Sequence, residues 1–236
     1  MRKLFNLDNP FMQFMSRIAD YFIVNLFMVL LSFPIITMGA AMTAGNKVMQ
    51  DFQFDNEQPV VRSFFKSFAR NFKQSTIVWL VVVLVALFLF GDMILVYAYV
   101  NGVFKLVMFA LLGSASIMVL GTALFAFSLI ARYENTLKQQ LRNSVLLAIG
   151  HLPKTILLLL LYATPILLCI LPEGEVATAR MLATVMLAFS IFGFSLLANL
   201  QTHLLKPIFI KLEEKSKEPQ QIEDTPAEEE NQKVAP

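Results

Sequence analysis

The chain has 236 residues, 57% of them hydrophobic and 15% charged, with a net charge of +2. Soluble domains run at roughly half apolar and a quarter charged, so this composition points to lipid as the main surroundings. The net charge hides a split of +7 over residues 1–212 and −5 over residues 213–236. The positive charges flank apolar runs and do not gather on one soluble face, which excludes nucleic acid as a partner and favours anionic lipid headgroups.

The apolar run that starts near Tyr21 lacks a small-residue cleavage site with a polar sequel. It reads as a retained membrane segment. The stretch Tyr21–Gly45 is one span kinked at Pro34, or two elements at about 11–33 and 35–50. Counting Lys and Arg weighs on the choice. Among the basic residues up to position 217, one crossing puts thirteen on the inner side and five on the outer, whereas two crossings or a re-entrant pair give sixteen against two. The even count fits better, although an element of 35–50 is short for a ~30 Å hydrocarbon core. Within this region Asp20 and Asn25 are candidate intramembrane polar sites. Asp20 lies three residues after Arg17, and pairing with that cation is its plainer reading.

Residues 60–73 are amphipathic. Val61, Phe64, Phe65, Phe68 and Phe72 fall on one helical face, with Arg62, Lys66, Arg70 and Lys73 on the flank and back. Such a helix is expected to lie in the membrane interface, rings in lipid and charges at the headgroups. It is a candidate surface for lipid or a protein partner; packing on the bundle as a juxtamembrane helix is the plainer alternative.

Four longer runs follow, at about 76–100, 103–131, 147–171 and 181–205. Asn101-Gly102 favours a tight turn between the first two. Pro172-Glu173-Gly174-Glu175 joins the last two. Asp92 falls about 24 Å along the first of these spans. A proton or cation site is one reading of it, and a polar contact at the outer rim is the plainer one. Asn199 and His203 share a helical face and could line a cavity or bond between helices. A basic segment before each hairpin, Arg62 to Lys73 and Arg142 to Lys154, hints at an internal repeat. Cys169 is the only cysteine and has no Cys/His partners at metal-binding spacing, so no metal and no cofactor is expected. From Glu213 onward the chain is rich in Glu, Gln, Pro and Lys and is expected to be a disordered acidic tail.

The sequence therefore describes an all-α, polytopic transmembrane helical bundle over 1–212, with an interfacial amphipathic helix and a disordered tail over 213–236. The basic ends of the spans place both termini in the cytoplasm of a multi-pass cell-membrane protein. Phosphate-binding loops, serine nucleophile elbows and zinc-protease helices are absent from the sequence, so it is not read as an enzyme.

Asn9-Pro10-Phe11, Asp20, Asn25-Leu26 and Leu31-Ser32-Phe33-Pro34-Ile35-Ile36-Thr37-Met38-Gly39-Ala40 resemble the N-terminal signature of the YesL family. Phe64-Phe65-Lys66-Ser67-Phe68 with Asn71-Phe72-Lys73-Gln74 resembles its second motif. The similarity covers roughly residues 5–210. The resemblance implies an integral membrane protein of the kind found in Gram-positive bacteria, often encoded beside carbohydrate-uptake and polysaccharide-degradation systems. It implies no catalytic residues. An accessory or assembly factor for solute uptake, working with transporter subunits, is the leading expectation. A small solute or ion transporter using Asp92, Asn199 and His203, and a membrane sensor that binds a regulator, are the alternatives.

Overall fold

The computed structural model describes residues 10–56, 58–170 and 174–224. Helix α1 (Pro10–Ser32) leads through a short 3-10 turn (Ile35–Thr37) into α2 (Met38–Gln53). Helices α3 (Val60–Tyr99) and α4 (Val103–Arg132) form a hairpin, α5 (Leu137–Gly150) and α6 (Leu152–Ile170) a bent pair. The last rod comprises α7 (Glu175–Ala188), a π-helical turn (Phe189–Gly193) and α8 (Phe194–Asp224). There is no strand among the described residues. Among the described residues, five helices are long and apolar enough to cross a membrane: Phe11–Ser32, Val60–Tyr99, Val103–Arg132, Leu152–Ile170 and Glu175–Glu214. The protein is a polytopic helical bundle.

Helix α2 is not among those five. Its 16 residues span only about 24 Å. It runs back along α1, with Phe52 beside Tyr21 and Gly45 beside Met28. The tip of this hairpin, at 33–37, reaches Trp79, whose indole N–H donates to the Ile35 carbonyl. Helix α2 is the buried centre of the fold and packs against α1, α3, α4 and α8. Its small residues make that possible. Gly39 lets the Ser75 carbonyl and Trp79 approach so closely that a Cβ would lie 2.6 Å from each.

Two expected elements are one. The amphipathic segment 60–73 and the span at 76–100 form the single 40-residue helix α3, about 60 Å long. No Gly or Pro separates Lys73 from Thr76, so nothing in the backbone stops the helix. The face that packs inward is mostly small and polar. Ser63, Ser67, Asn71 and Ser75 recur every fourth residue and are buried, with Phe64 and Val78 beside them. The segment is thus held by α2 and is not detached in the interface. Phe65 and Phe72 are exposed, Phe68 is half-buried, and Arg62, Lys66, Arg70 and Lys73 are exposed.

The converse correction applies at 147–171, where the expected single element is broken at His151. Gly150 ends α5, and Pro153 removes an N–H and favours a helix start. The Thr155 hydroxyl bridges the break by donating to the Ala148 carbonyl. Helix α5 starts in a capping box, with Thr136 and Gln139 satisfying each other's backbone N–H groups.

The expected tail begins within α8. Helix α8 continues to Asp224, in keeping with the helix-forming Glu, Lys and Gln of that stretch. Arg132 anchors Glu213 at 2.7 Å while its guanidinium lies 3.7 Å from the Phe54 ring. The rest of the expected tail, 225–236, lies outside the described residues.

Candidate functional site

Three polar arrangements among the described residues stand out, all away from the Asn101–Gly102 turn. The first joins α2, α4, α6 and α8. The Gln201 side-chain amide donates to the Leu124 carbonyl and the Ser128 hydroxyl at 2.8 and 2.7 Å. The Tyr162 hydroxyl donates to Gln201, and Gln50 donates to the Ser128 carbonyl. Gln50, Ser128 and Gln201 are fully buried. The network is structural in character: it gives partners to the Gln50 and Gln201 amide N–H groups and to the Ser128 and Tyr162 hydroxyls.

The second involves Asn25. Its amide donates to the carbonyls of Phe189 and Ser190, at 3.0 and 2.9 Å, and its oxygen accepts from the Ser195 backbone N–H. A π-helical turn misaligns the usual i to i−4 ladder and frees such groups. Asn25 therefore clamps α1 to the final rod across the defect.

The third arrangement is the candidate site. Where α2 ends and α3 begins, two hollows flank Asp51 and Gln58. The larger, about 590 Å³, is lined by carboxylates Asp20, Asp51 and Asp55, with Arg17, Asn56 and Gln58. Arg17 does not pair with Asp20 as the sequence suggested; it lies 4.5 Å from the Phe52 ring centroid, a cation–π contact. The smaller hollow, about 240 Å³, has the opposite bias, with Lys47, Lys66, Arg70 and Arg132 facing Asp51 and Glu134. Asp51 is the wall between them. It is held by Lys47 at 2.8 Å and by the Ser63 hydroxyl at 2.7 Å. Arg70 pairs with Glu134 at 2.6 Å. Beside this end, burial pushes the Tyr133 phenol up, and the neighbouring Glu213 carboxylate pushes the same way.

Residues 21–93 match the model of a family described as a protein of unknown function, DUF624. That segment holds Asn25, the whole of α2, the exposed cations of α3 and Asp92. No curated protein and no solved structure matches the chain.

The expected polar sites are not gathered into one path. Asp92 lies 13 residues beyond Trp79 on α3, about 20 Å past its contact with Gly39 of α2. Asn199 instead meets α2, accepting from the Gln53 amide through both its carbonyl and its side chain. His203 is exposed. The sequence reading missed Gln50, Ser128 and Tyr162, and also Asp51 and Lys47 as a pair. Only the pair had a signal, the Lys–Asp spacing of four.

Proposed function

We propose that this is a non-enzymatic cell-membrane protein, its basic end in the cytoplasm. It acts as an accessory or assembly factor for an uptake system, touching a transporter subunit through the exposed flank of α3. The observation that carries this reading is the exposure of Arg62, Lys66, Arg70 and Lys73 beside exposed Phe65 and Phe72. Helix α3 presents them rigidly, because the opposite face is fixed on α2. Cations with neighbouring aromatic rings suit a protein contact surface. The resemblance to the YesL family supports a carbohydrate as the solute.

The separation of Asp92 from Asn199 and His203 supports this reading over a transporter in its own right. Affinity purification of the tagged full-length protein from mild detergent should recover transporter subunits. Charge reversal at Arg62, Lys66 and Arg70 should lower that recovery at least tenfold. Unchanged recovery would remove α3 from the role. Sugar or ion movement by the purified protein in liposomes, lost in Asp92→Asn, would replace the accessory reading with transport.

A further inference from the structure

We propose that the smaller hollow beside Asp51 is a binding site for a phosphate ester. Four cations line it against two carboxylates, Asp51 and Glu134. The two carboxylates are not equally committed to the fold. Asp51 is 6% exposed and held by both Lys47 and Ser63, whereas Glu134 is 78% exposed and has Arg70 as its one ion-pair partner among the described residues. Glu134 therefore occupies the Arg70 guanidinium as an anion that a stronger one can displace.

Two further groups in the hollow have donors to spare. Lys66 is exposed and makes no ion pair among the described residues. Ser67 is 3% exposed and accepts from the Asn71 amide, leaving its own hydroxyl proton without an acceptor among the described residues. A planar guanidinium, a free ammonium and a buried hydroxyl around one small cavity match a tetrahedral oxyanion, whose non-bridging oxygens accept all three donors. A volume of about 240 Å³ accommodates a phosphate group and not a large organic ligand.

The place of the hollow along α3 narrows the source. Arg70 precedes Thr76, the start of the apolar run, by six residues, about 9 Å of helix. A phosphate there lies at the depth of lipid headgroups. A phosphatidylglycerol headgroup and a free phosphate share the chemistry, and two titrations separate them.

The experiment uses purified full-length protein in neutral detergent, titrated with short-chain phosphatidylglycerol and separately with inorganic phosphate, with the thermal midpoint as readout. The wild-type midpoint should rise in at least one arm. A rise with the lipid alone assigns the headgroup, and a rise with both assigns the phosphate group itself. Lys66→Gln with Arg70→Gln should weaken the response about tenfold or more. Arg62→Gln with Lys73→Gln removes the same charge from the same helix outside the hollow and should leave it within about twofold. Glu134→Gln removes the competing anion and should tighten binding, a gain that misfolding would not produce. No rise in either arm, equal weakening by the two double variants, or no tightening in Glu134→Gln would overturn the site. None of these readings involves a transporter, so they stand or fall separately from the accessory role.

Discussion

Gly39 and Gly113 both lie in apolar helices, yet their surroundings have nothing in common. A Cβ on Gly39 would sit 2.6 Å from the Ser75 carbonyl and from Trp79, whereas nothing lies within 4 Å around Gly113. The same contrast separates two regions of the bundle. Toward the basic end, α2 is wrapped by four helices, and the buried residues of α4 are confined to Gly121–Ala131. Toward the Asn101–Gly102 turn, α3 and α4 expose Leu84, Leu87, Phe88, Phe104 and Leu106. One region is held by close backbone approach and side-chain hydrogen bonds. The other leaves its apolar surface for lipid, which competes with helix contacts on equal terms.

The comparison is broken most directly at the glycines. Gly39→Leu must push α2 away from α3 or force strained rotamers. Overpacking of this kind costs about 1–3 kcal/mol and sometimes more, and here the obstacles are a backbone carbonyl and the base of a tryptophan. The thermal midpoint in detergent should fall sharply or folded protein should fail to accumulate. Gly113→Leu should leave the midpoint unchanged or slightly raised, because leucine is the better helix former. Equal damage at both positions would mean that the apolar region is packed against something.

Hydrogen bonds make the next test. Gln201→Leu keeps the bulk but strands the Ser128 and Tyr162 hydroxyls. Leaving buried groups unpaired costs about 1–3 kcal/mol, measurable as a lower midpoint. Asn25→Leu should cost less, about 1–2 kcal/mol. The freed carbonyls at Phe189 and Ser190 sit in a π-turn whose backbone can relax toward an ordinary helix. Its distinguishing sign would be altered packing between α1 and the last rod, read by cross-linking between residues introduced at positions 22 and 192, whose rings now lie 6.0 Å apart.

Much of this was legible in the sequence, for identifiable reasons. The spans at 103–131 and 76–100 depend on local composition, and the Asn101–Gly102 turn on local backbone preference: Gly102 has φ 69°, a region open to glycine. The partners of Asn25 are 164 to 170 residues away, beyond any periodicity. The inward face of α3 gave no strong signal, because five apolar side chains outweigh three serines and an asparagine on a helical wheel. In a lipid setting apolar bulk has no need to be inside, and small polar residues make the close contacts. The break at His151 had its signals in Gly150 and Pro153, hidden by the apolar residues around them. The anchoring of Glu213 joins residues 81 apart, so a tail read by composition alone looked free.

The smallest effect is expected at Asp92, and it sharpens the comparison more than its size suggests. Asp92 is half-buried on α3, in the region where neighbouring side chains are exposed apolar groups, and no hydrogen bond or ion pair holds it among the described residues. A carboxylate in apolar surroundings is costly unless paired. Asp92→Asn removes the charge and keeps the shape, so the midpoint should stay within about 0.5 kcal/mol of wild type or rise slightly. A fall as large as that of Gln201→Leu would show that Asp92 has a partner from outside the chain. The apolar region would then be a contact surface, covered in the membrane by another helix and not by lipid alone.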